Sequence, residues 1–127
     1  MGKASMVQIA NCKKYDLEDR TLEFTKKIIS YVNKLSKNIA NIEIGKQLIR
    51  SAGSVGANYI EANESLGKKD FLMRIKISKK EAKESRYWLA LSLPIDDQTI
   101  EREMLIKEST ELMNIFGSIL SKQNIKN

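Results

Sequence analysis

Apolar positions along the chain recur at alternating steps of three and four residues, the repeat of a helix with one buried face. Leu17, Thr21, Phe24, Ile28, Tyr31 and Leu35 make the first stripe, which predicts a helix over about residues 17 to 37. Asp16 is placed to cap its start, and Asp19 falls in the first turn, where a carboxylate suits the positive end of the helix dipole. Ile44, Leu48, Ala52, Val55, Tyr59, Ala62 and Leu66 repeat the pattern over about residues 42 to 66, with Gly67 as a left-handed cap. Phe71, Ile75, Ser78, Ala82, Ser85 and Leu89 form a third stripe, which stops before Pro94 because proline disfavours helical geometry in its predecessor. Asp96 or Asp97 then caps a fourth helix carrying Glu101, Leu105, Leu112, Ile115, Phe116 and Ile119, interrupted by Glu108 and ending near Lys122. Connections this short fold consecutive helices back on each other, so the expected fold is all-α, an antiparallel up-and-down four-helix bundle. Weak periodicity in residues 1–14 and 123–127 predicts flexible terminal segments flanking one bundle domain at 15–122.

Composition narrows what such a bundle can do. One Cys permits no internal disulfide, no apolar run approaches the roughly 20 residues of a membrane span, and the first residues lack a secretory signal. Met6 stands where a myristoylation motif needs Ser or Thr, so the expectation is a cytoplasmic protein without a lipid anchor. The 127 residues contain no His, which removes Ser-His-Asp and Cys-His nucleophile systems, His-containing zinc sites and the Glu-x-x-His pairs of di-iron bundles. Cys12 has no catalytic partner in view, Gly67-Lys68-Lys69 lacks the Ser or Thr of a phosphate-binding loop, and Asn63-Glu64-Ser65 is a glycosylation sequon inside a predicted helix. No enzyme activity, cofactor or metal is therefore expected. Twenty-two Lys and Arg against 16 Asp and Glu give a net charge of +6, which favours an anionic partner, nucleic acid first and an acidic protein face second.

Apolar residues also lie beside the core stripes: Leu22, Thr25, Ile29 and Val32 on the first helix, and Ile42, Ile49, Gly53, Gly56 and Ile60 on the second. Either neighbouring helices of the same bundle cover them, or they form a subunit interface. Gly53, Gly56 and Ala57 would let another backbone approach closely, which would explain glycines that each cost about 1 kcal/mol in a helix interior.

At about 100° per residue, Gln47, Arg50, Ser54, Asn58 and Glu61 form a polar ribbon on the second helix. A matching flank of the third holds Asp70, Ile77, Glu81, Glu84 and Trp88. If these flanks meet, Arg50 can pair with Glu81 or Glu84, in a network that specifies register more than it adds stability. A carboxylate metal site of Glu61, Glu81 and Glu84 has only their charge in its favour. The other side of the third helix carries Lys69, Lys76, Lys79, Lys80, Lys83 and Arg86 with Tyr87 among them, and no acidic residue enters that arc. Such a run is either a solvated face or a phosphate-binding strip, in which lysines release counterions and Tyr87 stacks on an unpaired base. Lys26, Lys27, Lys34 and Lys37 of the first helix would extend the positive field.

The run from Gln47 to Ala62, QLIRSAGSVGANYIEA, resembles the signature of the bacterial four-helix-bundle family that includes proteins encoded in intervening sequences of 23S ribosomal RNA genes. The downstream residues fit the same pattern: Lys68-Lys69-Asp70-Phe71, then Ile77, Lys80-Glu81-Ala82, Glu84-Ser85 and Tyr87-Trp88-Leu89. Tyr15-Asp16-Leu17 is compatible, so the resemblance covers nearly the whole chain apart from its two tails. The resemblance implies a homopentameric barrel of antiparallel four-helix bundles with a positively charged surface. It also implies structural or interface roles for Arg50, Ser54, Asn58, Glu61, Asp70, Glu81, Glu84 and Trp88, and it supplies no catalytic set. A related branch, the accessory variability determinants of diversity-generating retroelements, works with a reverse transcriptase and binds nucleic acid. The expected function is a non-enzymatic homo-oligomer whose basic face binds nucleic acid, RNA above all. The alternative is an accessory subunit that docks an acidic partner, such as a retroelement reverse transcriptase, on the same face.

Overall fold

The computed structural model describes residues 13–125 and contains four long helices: α1 (Lys13–Lys34), α2 (Ile39–Asn63), α3 (Lys68–Leu91) and α4 (Thr99–Ile125). Residues 1–12 of the predicted N-terminal segment and the last two of the tail lie outside the described residues. A single 3-10 turn, Asp96–Gln98, leads into α4, and no strand occurs among the described residues.

Helix ends differ from expectation where local hydrogen bonds decide them. α1 starts at Lys13, so Asp16 stands inside the helix instead of capping it. α2 is capped by Asn38, whose side-chain oxygen accepts from the Asn41 backbone N–H at 2.8 Å. Gly67 is no left-handed cap. The Glu64 N–H closes α2 on the carbonyls of Ile60 and Glu61, and Gly67 is instead the extended residue that precedes α3, at φ −137° and ψ 161°. Leu66, expected in the core stripe, belongs to that connection and is fully exposed. Asp96 and Asp97 open the 3-10 turn, with Ile95 at its cap position.

The core forms where the stripes meet. Phe24, Ile28 and Tyr31 of α1, Leu48, Ala52 and Val55 of α2, Ile75, Ala82 and Leu89 of α3, and Leu112 and Phe116 of α4 are buried, and the Tyr59 and Phe116 rings pack 5.9 Å apart. Helices touch around a ring, α1 to α2, α2 to α3, α3 to α4 and α4 back to α1, with α2–α3 the most extensive contact and α1–α4 the least. Partner numbers fall along one helix as they rise along its neighbour. Asn63 binds Glu18, a Cβ on Gly56 would meet Thr21, the Ala52 carbonyl takes the Thr25 hydroxyl, and a Cβ on Gly45 would meet Val32.

Buried serines make the α2–α3 seam. Ser51 and Ser85 hydroxyls lie 2.9 Å apart, Ser85 also donates to the Glu81 carbonyl, and Ser78 donates to the Val55 carbonyl across the interface at 2.9 Å. With Ala52 and Ala82 beside them, these side chains let the backbones come close while every buried hydroxyl keeps a partner. A second polar group, of which Tyr31 alone lies on an apolar stripe, ties one end of the bundle together. Buried Asn41 donates to the carbonyls of Ser36 and Leu93 and accepts from the Leu93 N–H, joining the α1–α2 and α3–α4 connections. Tyr31 shares a 2.6 Å hydrogen bond with Ser92, and Gln98 donates to the Tyr31 carbonyl.

Gly56 is explained inside the subunit: a Cβ there would stand 2.9 Å from Thr21 Oγ1 and 3.2 Å from Thr21 Cβ, whereas one at Gly53 would meet nothing within 4 Å. Urea denaturation should therefore separate the two. In the dissociated subunit Gly53→Ala should gain about 1 kcal/mol from helix propensity, and Gly56→Ala should lose about 1–3 kcal/mol to overpacking. Burial also raises the Tyr31 and Tyr59 phenols above their ordinary value of 10. The unfolded chain releases those protons first, so this stability is complete below pH 10 and is lost as pH rises beyond it. The urea midpoint should hold from neutral pH to about 9 and then fall, and the Tyr31→Phe/Tyr59→Phe chain should show a shallower fall.

Candidate nucleic-acid interface

α3 carries eight Lys and Arg against three Asp and Glu, a net +5, so most of the chain's +6 resides on one helix. Its core stripe fixes its rotation: Ile75, Ser78, Ala82, Ser85 and Leu89 point inward, which turns Lys69, Lys76, Lys80, Lys83 and Tyr87 to solvent. Met73 and Leu91 are exposed on the same helix, and the Tyr87 ring, 59% exposed, is braced edge-on against Trp88 at 5.1 Å. Lys69, Lys76 and Lys83 have no ion-pair partner among the described residues, and Lys80 has only a 4.0 Å contact with Glu84.

Lys79 is exposed as well but lies toward α4, and Arg86 is set deeper. Arg86 is half-buried and donates to Thr110 Oγ1 of α4, and the Lys79 ammonium stands 3.6 Å from where a Cβ of Gly117 would be. These two charges border the α3–α4 seam. The lysines of α1 do not continue the strip, because α1 contacts α2 and α4 and sits diagonally across the bundle from α3. Lys34 is engaged by Glu101 of α4 at 2.9 Å, and Lys26 by Glu23 at 3.6 Å.

The opposite flank of α3 meets the polar ribbon of α2. Arg50 Nη2 reaches Glu81 at 3.3 Å and Glu84 at 3.1 Å, so it serves both candidate carboxylates at once. Glu81 is buried, whereas Arg50 is half-exposed, so the pair joins a buried carboxylate to a guanidinium that stays in contact with solvent. Asn58 donates to the Ser54 carbonyl and hydroxyl within α2 and accepts from Arg74 of α3 at 3.1 Å. Trp88 packs partly buried on the core, and Glu61 and Asp70 are exposed. Among the described residues no group of three or more His, Cys, Asp or Glu is placed to hold a metal ion, and no helix is long and apolar enough to cross a membrane.

An ion network also joins α1 to α4. Glu108, which interrupts the apolar row of α4, accepts both Arg20 Nε at 2.7 Å and Arg20 Nη2 at 2.9 Å, and Glu111 takes Nη2 at 2.6 Å. The hydrogen-bonded Glu108 carboxylate holds the Arg20 guanidinium well above its ordinary pKa. A polar residue inside an apolar stripe was the available signal; its partner, 88 residues away, was not legible.

Four long helices closed around one apolar core, with a basic outer face on the third, define a small four-helix-bundle protein. The chain belongs to the 23S rRNA-intervening sequence protein family, whose sequence profile matches residues 13–118. It is also similar to a crystal structure of a protein of unknown function from the S23 ribosomal protein family of Bacteroides thetaiotaomicron VPI-5482. The two share 30% sequence identity and a TM-score of 0.75 over 87% of this chain and 99% of that one. No curated protein matches the chain.

Removing Arg50 leaves Glu81 buried beside another carboxylate. Arg50→Ala should destabilise the fold by about 1–2 kcal/mol, less than a fully buried pair because Arg50 is half in water. A double-mutant cycle with Glu81→Gln should show that most of this loss disappears once the charge is gone.

Proposed function

We propose that the chain is a non-enzymatic, cytoplasmic homo-oligomer, pentameric in keeping with its family resemblance, that binds nucleic acid through the outer face of α3, RNA in preference to DNA. The observation that carries this reading is the exposed set Lys69, Lys76 and Lys83, unpaired among the described residues, around a half-exposed Tyr87. Ammonium groups free of internal carboxylates can exchange condensed counterions for phosphates, and an aromatic ring among them offers a stacking surface for an unpaired base. The reversed order of cross-helix partners supports the antiparallel up-and-down course that would hold this face straight along the bundle.

Self-association is supported by the α1–α2 side of the bundle. Leu22 and Ile29 of α1 and Ile42 and Ile60 of α2 are exposed, and Gly53 leaves open space between them for an approaching backbone. A ring of subunits would repeat the basic strip and multiply weak contacts through avidity.

Fluorescence anisotropy with single-stranded and hairpin RNA tests the binding face. Affinity should fall steeply with salt, and Lys76→Glu/Lys80→Glu/Lys83→Glu should weaken binding by at least about ten-fold and flatten the salt slope by roughly two units. Unchanged binding by that chain would remove the face from consideration, and no binding even at low salt would favour an acidic protein as its partner. In sedimentation, the wild-type chain should associate at micromolar concentration and Leu22→Glu/Ile60→Glu should run as a monomer.

A further inference from the structure

The loosest seam of the bundle, between α1 and α4, opens a groove of about 1000 Å³. Phe24 and Leu105 form its floor, and Ile100 and Met104 stand in it 74% and 65% exposed, a large apolar cost for a helix surface with nothing over it. Its electrical character is opposite to that of α3. Six carboxylates and three cations line it, a net −3 in a chain of +6. Glu108 and Glu111 pair with Arg20, and Glu101 with Lys34, which leaves Asp19, Glu23 and Asp97 along the rim beside Lys27 and Lys107. Glu23 has only an exposed 3.6 Å contact with Lys26.

A negative rim repels phosphate, so nucleic acid is the wrong occupant and a cationic one is favoured. The α4 wall from Ile100 to Glu111 runs about 17 Å, the length of three helical turns. A two-helix groove with an apolar floor and charged edges is the shape that receives an amphipathic helix. We propose that the α1–α4 groove docks a basic amphipathic helix of a protein partner, its apolar side on Ile100 and Met104 and its Lys or Arg side chains against Asp19, Glu23 and Asp97. The site lies away from the outer face of α3, so a bundle holding RNA there keeps this groove free. The proposal does not depend on the RNA reading.

The test titrates the full chain with a fluorescein-labelled amphipathic helix of about 14 residues, Leu on one face and Lys on the other, beside a twin with Glu for Lys. The Lys peptide should bind and the Glu peptide should bind at least about ten-fold more weakly, because the rim attracts one and repels the other. Asp19→Lys/Glu23→Lys and, separately, Met104→Ser should each weaken the Lys peptide, with circular dichroism confirming that the helices persist. Lys76→Glu/Lys80→Glu/Lys83→Glu should leave peptide binding intact even if it abolishes RNA binding. Equal binding of both peptides, or indifference to the rim and floor substitutions, would overturn the proposal. A change in oligomeric state on Asp19→Lys/Glu23→Lys would overturn it too, by identifying the occupant as a second copy of the chain.

Discussion

The close approach of α2 and α3 sets the geometry of everything around it. Ser51, Ser78 and Ser85 are small enough to bring the two backbones together, yet each carries a hydroxyl that loses free energy if buried without a partner. Two of their bonds cross the seam and favour one register, Ser51 with Ser85 and Ser78 with the Val55 carbonyl, while Ser51 and Ser85 also have acceptors on their own helices in the Leu48 and Glu81 carbonyls. Apolar side chains of similar size would permit sliding. The two cross-seam bonds favour the register in which the acidic flank of α3 meets Arg50 while its lysines face water.

That rotation turns a modest total charge into a local one. On α3 the carboxylates are drawn to the α2 side, where Arg50 and Arg74 meet Glu81, Glu84 and Asn58, and the outward face is left with positive charge little offset by its neighbours. The same sorting occurs with opposite sign between α1 and α4. Arg20 is clasped by Glu108 and Glu111, yet acidic groups remain in excess along that groove. Interactions between exposed charges fade over roughly 10 Å of salt water, so faces on different sides of the bundle act on their surroundings almost independently.

The helical stripes were readable because burial of one face imposes a period of 3.6 on the chain itself, and the α1 stripe from Leu17 to Leu35 is buried at every position. Helix ends were less legible. They turn on single hydrogen bonds, such as Asn38 to Asn41 or Glu64 to Ile60, which compete with alternatives of nearly equal energy, and so Gly67 and Leu66 fell on the wrong side of a boundary. Gly56 needed Thr21 to explain it, and Glu108 needed Arg20; neither partner is near in sequence. The Arg50 pairing was within reach because two helix flanks of complementary charge follow each other along the chain. In the buried polar group at the end of the bundle Tyr31 lies on the α1 stripe, but Asn41, Ser92 and Gln98 had no such periodic trace.

By itself, then, the amino-acid sequence determined the four helices, their buried faces and the segregation of charge on α3, since all three follow from the angle between successive residues on a single helix. Tertiary structure decided which charges are free. Lys34 and Arg86 look as available in sequence as Lys69 or Lys76, but Glu101 and Thr110 reach them from α4, and among the described residues no acidic group reaches the other two. Periodicity fixes the direction of a side chain on its own helix; what it meets depends on how helices distant in sequence are brought together.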